Sequence, residues 1–124
     1  MSGKPRILVV DDEVDFVQLV TLRLEAAGYE APCAYDGQQA LDQVQRLMPD
    51  LVILDLMLPR IDGFKVCRLL KFDKRYKKIP VLIMTARAQR EDRELAMECG
   101  ADAYVTKPFN GQLLVVRLQG LLSN

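Results

Sequence analysis

Five residues of this chain carry groups that can act together on a charged species. They are the carboxylates of Asp11, Asp12 and Asp55, the hydroxyl of Thr85 and the ammonium of Lys107. Taken singly, each has an ordinary explanation. Asp11 and Asp12 stand where they can cap a following helix, with Asp15 adding favourable charge in its first turn. Asp55 can end a strand, and Thr85 is by type a common strand-end or N-cap residue. Taken together they describe different chemistry. Three carboxylates in one place repel one another and raise each other's pKa unless a cation intervenes. Oxygen ligands without histidine or cysteine suit a hard divalent ion, and Mg²⁺ takes one or two carboxylates while keeping several waters. Such an ion beside a lysine neutralises charge on a transferring phosphoryl group.

The composition removes most other chemistries. The chain has 124 residues, 50% of them hydrophobic, with 17 basic residues against 17 acidic ones. That length fits one domain, which buries roughly two-thirds of its unfolded surface without disulfides or metal staples. There is no histidine, which excludes Ser-His-Asp, Cys-His and His-zinc sites. Zero formal net charge and a pI near 6.3 argue against direct nucleic-acid binding. Cys33, Cys67 and Cys99 are widely spaced and form no C-x-x-C pair, so they read as reduced, mostly buried thiols. Met1 to Pro5 lacks an apolar h-region, and no apolar stretch is long enough to span a membrane. A soluble, cytoplasmic, single-domain protein is expected.

The elements that must position the five residues follow from the hydrophobic pattern. Arg6 to Val10, Leu51 to Leu54 and Pro80 to Met84 are short apolar runs, stopped by Asp11-Asp12, by Asp55 and by Thr85. Glu30 to Ala34 reads as a weaker edge strand, and Ala103 to Val105 as a short strand before Lys107. Helical spacing links them: Phe16, Val17, Val20, Leu24 and Ala27 before Gly28; Ala40, Leu41, Val44, Leu47 and Met48 before Pro49; Phe64, Cys67 and Leu70 between Gly63 and Phe72; Leu95, Ala96 and Cys99 before Gly100; and Leu113 to Leu122. Runs apolar throughout, rather than alternating, predict strands buried on both faces of a parallel sheet. In such an α/β fold the functional crevice lies outside the carboxyl ends of the strands. The five residues stand at those ends. The acidic loop Asp11-Asp12-Glu13 would repel a nucleotide or flavin phosphate, which needs a Gly- or Ser/Thr-rich turn there.

These residues carry a resemblance. Val9-Val10-Asp11-Asp12-Glu13, Asp55-Leu56-Met57-Leu58-Pro59 with Asp62-Gly63, Thr85-Ala86, Gly100-Ala101 and Lys107-Pro108-Phe109 occur in order at the strand ends. In this the chain resembles the receiver domain of two-component response regulators, over residues 1–124. The resemblance implies a flavodoxin-like (βα)5 sandwich with a five-stranded parallel sheet of order 2-1-3-4-5. It implies that Asp55 accepts a phosphoryl group from the phosphohistidine of a sensor histidine kinase or phosphotransfer protein. Asp11, Asp12, Asp55 and the Met57 backbone carbonyl would hold Mg²⁺, Lys107 would pair with the phosphoryl oxygens, and Thr85 would hydrogen-bond one of them. Lys107-Pro108 would be a cis peptide. On phosphorylation Thr85 would move toward the new group and Tyr104 would turn inward, changing the surface around the fourth helix, fifth strand and fifth helix. The implied protein is a signalling switch rather than an enzyme, assisting only its own phosphorylation and dephosphorylation. Its implied partners are the phosphodonor, a downstream target or output domain, and a second copy of itself in the phosphorylated state.

Several features have plainer readings beside this one. Tyr104 can be core packing. Lys71, Lys74, Arg75, Lys77 and Lys78 read as a solvated face, and Arg87, Arg90 and Arg93 as partner contacts or plain surface. Met57 and Arg87 occupy variable positions that, in the family, influence acyl-phosphate hydrolysis. Neither orients an attacking water well, which implies a phosphorylated state that is not unusually short-lived. Two rival functions compete: a degenerate receiver acting only as an interaction module, and an aspartyl-phosphate phosphatase of the haloacid dehalogenase type. The second needs an acid two residues after the nucleophile, where this chain has Met57. After the last helix the chain ends at Gly120-Leu121-Leu122-Ser123-Asn124. That leaves open a stand-alone receiver or the receiver portion of a longer regulator.

Overall fold

Four-residue apolar runs that cannot tolerate water on either side dictate the layering. The computed structural model describes residues 3–87 and 89–123; Met1, Ser2, Ala88 and Asn124, which enter the readings of the two termini and the loop after Thr85, lie outside them. Ten elements alternate along the chain: β1 (Ile7–Val10), α1 (Val14–Ala26), β2 (Cys33–Ala34), α2 (Gly37–Leu47), β3 (Leu51–Leu54), α3 (Gly63–Lys71), β4 (Val81–Thr85), α4 (Arg90–Glu98), β5 (Ala103–Thr106) and α5 (Gly111–Leu122). The strands form one parallel sheet in the order β2-β1-β3-β4-β5. The predicted parallel sheet and its order are therefore present.

Successive residues of each strand enter opposite cores, as the period of two requires. Ile7, Val9, Leu51, Ile53, Leu82 and Met84 pack with Val17, Val20 and Leu24 of α1 and Leu114 and Leu118 of α5. Leu8, Val10, Val52, Leu54, Val81 and Ile83 pack with α2, α3 and α4 through Ala40, Val44, Val66, Cys67, Leu70 and Ala96. The split follows from right-handed crossovers: α1 leads leftward to β2, while α2, α3 and α4 lead rightward. Each fully buried Leu, Ile or Val contributes about 1.5–3 kcal/mol.

Two elements differ from the pattern-based reading. The edge strand β2 shrinks to two residues, because only Val9↔Cys33 and Val10↔Ala34 pair, with an isolated Arg6↔Glu30 bridge. Pro32 has no N–H to offer a ladder, although its carbonyl accepts from Val9 at 2.9 Å. The second helix begins at Gly37, earlier than its first apolar residue, because Asp36 caps it through Gln39 N–H at 2.8 Å.

The basic run after α3 is not wholly a solvated face. Lys71 is largely buried, donating to the carbonyls of Lys77 (2.8 Å) and Ile79 (3.0 Å) and pairing with Asp102 at 2.9 Å. Asp102 in turn accepts from Val81 N–H at 2.8 Å. One ammonium thus ties the end of α3 to the starts of β4 and β5, at the sheet edge opposite the five candidate residues. Lys71→Met is expected to lower the urea midpoint by an equivalent of about 1–3 kcal/mol, since it strands two carbonyls and a carboxylate. Lys78→Met, on the exposed part of the run, is expected to leave the midpoint unchanged.

The three cysteines are free, with Cys67 and Cys99 buried and Cys33 partly so. Burial pushes the Cys67 thiol up to about 12, so its thiolate is scarce at neutral pH. Alkylation of the native protein, read by peptide mass, is expected to label Cys33 first and leave Cys67 unmodified. Labelling of Cys67 at a rate matching Cys33 would contradict this packing.

Candidate functional site

Strand register brings the acidic residues together. Val10 pairs with Leu54 across β1 and β3, so Asp11 and Asp55 are the next residues on adjacent strands. Asp55 N–H donates to the Val10 carbonyl at 3.0 Å, and Asp11 N–H to that of Ala34 at 3.1 Å. The β1–β3 junction is where the strand order reverses, the place where a parallel sheet opens a crevice. At the other end of the sheet Thr85 pairs with Thr106, and Lys107 N–H donates to the Thr85 carbonyl at 2.8 Å. The Lys107–Pro108 peptide is cis.

The Lys107 ammonium is the centre of the arrangement. It lies 2.7 Å from Asp11 Oδ2, 3.0 Å from Glu13 Oε1 and 3.1 Å from Asp55 Oδ2. Its side chain is 11% exposed, and the Asp11 and Asp55 side chains 2% and 6%. It also sits 4.1 Å from the centroid of the Phe16 ring, which Phe109 holds edge-on at 5.8 Å. Burial opposes the Lys107 charge, but its hydrogen bonds to Asp11, Glu13 and Asp55 outweigh that and raise its pKa above the ordinary 10.5. Burial raises the Asp11 carboxyl above 3.8, and neighbouring Asp55 pushes the same way, while Lys107 and the Glu13 N–H oppose them.

The remaining oxygens are fixed by backbone. Asp11 Oδ1 accepts from Glu13 N–H at 3.0 Å, and Asp55 Oδ1 from Met57 N–H at 3.1 Å. Asp12 does not cap α1. Glu13 holds the N-cap position without a side-chain cap, and the short-range bond to its N–H comes from Asp11. The Asp12 carboxylate is exposed, and carboxylate oxygens of Asp11, Asp12 and Asp55 all lie within 4.8 Å of one another. Three carboxylates, of Asp11, Glu13 and Asp55, pair with one ammonium, and the exposed Asp12 adds a fourth beside them. The donor set is oxygen alone and its charge is in excess, which fits a hard divalent cation.

Gly63 makes the loop after Asp55 compact. A Cβ at Gly63 would overlap the Asp55 carbonyl oxygen and crowd Leu56 Cα. Gly63 N–H donates to the Leu56 carbonyl at 2.9 Å, and Asp62 caps α3 through Lys65 N–H at 3.0 Å. The loop carrying Asp55 and Met57 is thus pinned from its far end.

The other predicted residues stand apart from the carboxylates. Thr85 is fully buried, and its Oγ1 accepts from Arg87 N–H at 3.4 Å. Tyr104 is 5% exposed and donates its hydroxyl to the Arg87 carbonyl at 2.5 Å, so the ring already stands inward here, where the resemblance implied an inward turn on phosphorylation; the Arg87 acceptor holds it there. Arg87, read as a partner contact or plain surface, pairs with Asp92 at 2.5 Å and lies 5.7 Å from the Phe64 ring centroid. Arg93 lies over the Tyr104 ring at 5.1 Å, and Arg90 pairs with Glu94 at 2.9 Å. Glu13, Phe16, Phe64 and Asp92 are therefore members of this region that the strand-end argument does not reach. Phe16 reads as one more apolar position of a helical stripe, and Asp92 as an acid in a first helical turn. Only the position of Glu13, directly after the two aspartates, carries a sequence signal.

Comparison with known proteins agrees with this geometry. Residues 7–119 match the response regulator receiver domain. The chain is 45% identical over 118 residues to the DNA-binding dual master transcriptional regulator RpaA of Synechocystis, covering 95% of this chain and 49% of that protein. It is 42% identical over 117 residues to the alkaline phosphatase synthesis transcriptional regulatory protein PhoP of Bacillus subtilis, covering 94% of this chain and 48% of that one. The chain thus spans about half the length of these relatives. The chemotaxis response regulator CheY4 of Vibrio cholerae superposes with a TM-score of 0.89 at 32% identity, over 96% of this chain and 99% of that one. The receiver domain of Francisella response regulator 1452 does so at 0.89 and 30% identity, over 97% and 98%. No helix among the described residues is long and apolar enough to cross a membrane. With its strand-end carboxylates gathered on one lysine, its sheet order and its match over residues 7–119, the chain belongs to the response regulator receiver domain family.

Proposed function

We propose that this chain is a phosphoacceptor switch in which Asp55 takes a phosphoryl group from the phosphohistidine of a sensor kinase or phosphotransfer protein. The observation that carries this reading is the placement of Asp55: nearly buried, adjacent in register to Asp11, and held 3.1 Å from the Lys107 ammonium. An Asp55 oxygen attacks phosphorus, an O–P bond forms, and the P–N bond of the donor breaks with its electron pair left on the imidazole nitrogen. Lys107, already charged and oriented by Phe16 and Asp11, offers its ammonium to the phosphoryl oxygens. The Met57 N–H holds the carboxylate plane of Asp55. Thr85 supplies a hydroxyl to the same group, and Tyr104 responds to its movement.

Asp11, Asp12, Asp55 and the Met57 carbonyl are the groups that would hold Mg²⁺. That ion, when bound, supplies the positive charge that lets four carboxylates and a phosphoryl group occupy one crevice. The likeness to two transcriptional regulators of about twice the length supports an output in transcription control, through a target or further domain that reads the surface around α4, β5 and α5. A receiver reduced to an interaction module would have no use for the acidic set, Thr85 and Lys107 together, so that reading ranks second. Met57 speaks against the phosphatase reading.

Intact mass after incubation with a small-molecule phosphodonor tests the proposal. One phosphoryl adduct is expected, present with Mg²⁺, absent on chelation, and absent in Asp55→Asn. No adduct on the wild-type chain under any of these conditions would replace the switch with the interaction module. The same variant has a thermodynamic signature. Asp55→Asn removes a buried charge that repels Asp11, while Asp11 and Glu13 still pair with Lys107. We expect Asp55→Asn to raise the unfolding free energy in metal-free buffer by about 1 kcal/mol, the ordinary scale of a point substitution. A lower midpoint than wild type would mean that the Lys107–Asp55 attraction exceeds the repulsion.

A further inference from the structure

The ion pair at the start of α4 reaches both residues that respond in the proposed switch. Asp92 lies in the first turn of α4, and its side chain is only 9% exposed. A carboxylate taken that far out of water needs a cation, because desolvation without a partner is strongly unfavourable. The neighbouring arginines of α4 are engaged elsewhere: Arg90 with Glu94, and Arg93 over the Tyr104 ring. Arg87, two residues after Thr85, supplies the charge. Its guanidinium pairs with Asp92 and lies 5.7 Å from the centroid of the Phe64 ring of α3.

The Arg87 side chain is itself 44% exposed, so the buried partner of the pair is Asp92, and the main chain of Arg87 makes bonds of its own. Its N–H donates to Thr85 Oγ1 and its carbonyl accepts from the Tyr104 hydroxyl. One residue therefore joins the side chains of Thr85, Tyr104, Asp92 and Phe64. The Tyr104 hydroxyl would be left in the protein interior without this acceptor.

We propose that Asp92 is a positioning residue of the switch: through its ion pair it fixes Arg87, and the Arg87 main chain holds Thr85 and Tyr104 in their present places. The inference rests on the reading of Thr85 and Tyr104 as the responding residues. It assigns the role to a carboxylate that touches neither the acceptor aspartate nor its lysine.

Fluorine NMR of the full chain labelled with fluorotyrosine tests it. The four tyrosines give separate signals, and Tyr104→Phe assigns the relevant one. Asp92→Asn and Arg87→Gln are each expected to move the Tyr104 signal toward the exposed position, and the double variant to move it no further. Asp92→Glu is expected to restore it, while Glu94→Gln, which breaks the exposed pair on the same helix, leaves it in place. A second readout follows the phosphoryl adduct formed with a small-molecule donor and Mg²⁺: its half-life in Asp92→Asn is expected to change by about threefold or more. A Tyr104 signal that stays put in folded Asp92→Asn and Arg87→Gln would overturn the proposal, since core packing alone would then hold the ring. Additive shifts in the double variant, or a moved ring with an unchanged adduct half-life, would overturn it as well. A wild-type chain that takes no adduct overturns the phosphoacceptor reading instead, and the fluorine signals still decide the place of Asp92.

Discussion

One ammonium held among carboxylates at the carboxyl edge of a buried sheet is the constraint around which the structure is organised. Lys107 is charged, largely buried and within 3.1 Å of oxygens from Asp11, Glu13 and Asp55. Burial alone would favour neutral forms on both sides; the mutual pairing keeps Lys107 charged. The pairing is unbalanced, because negative charge exceeds positive. That excess of negative charge is unfavourable unless further positive charge is supplied. A region whose charges are not balanced needs the rest of the fold to hold it in place.

The rest of the fold does so through elements buried on every side. β1 and β3 are apolar throughout because each face meets a helix layer, so neither strand can slip in register without moving hydrophobic side chains between two cores. Asp11 and Asp55 therefore stay adjacent. The loop after Asp55 is held at its far end by Gly63, where no side chain fits, and by the Asp62 cap. The opposite edge of the sheet is tied by Lys71 and Asp102. Away from the acidic edge the fold is held by groups that are satisfied in place.

Between the acidic crevice and the α4–β5–α5 surface lies the turn that carries Arg87. Its bonds are of a different kind from those of the core: an ion pair, a cation over a ring, and two hydrogen bonds to the main chain of one residue. A few polar contacts of that sort can be exchanged at modest cost, whereas a change in a close-packed core is felt by every neighbour.

Much of this was legible in the residues. Apolar runs of four or five ending in Asp11, Asp55 and Thr85 specify buried parallel strands, because burial on two faces removes the usual alternation. Once the strands are known, the convergence of Asp11, Asp12, Asp55 and Lys107 follows, since parallel strands all end at one edge. What pattern could not reach depends on distance across the fold. Lys71 sits in a basic run and reads as surface, but its partners are carbonyls six and eight residues on and a carboxylate on another element. Asp92 reads as a helix-dipole acid, and its burial depends on α4 packing against β5 and α3. Asp12 and Asp11 are indistinguishable by type, and the backbone path after β1 decides that one is buried against Lys107 while the other faces solvent. Sequence by itself determined the layers, the edge and the charges that gather there, because hydrophobic periodicity and strand ends are local properties. Tertiary structure alone decided which charges pair and which side chain each backbone group holds, because those depend on angstrom distances between segments far apart in the chain.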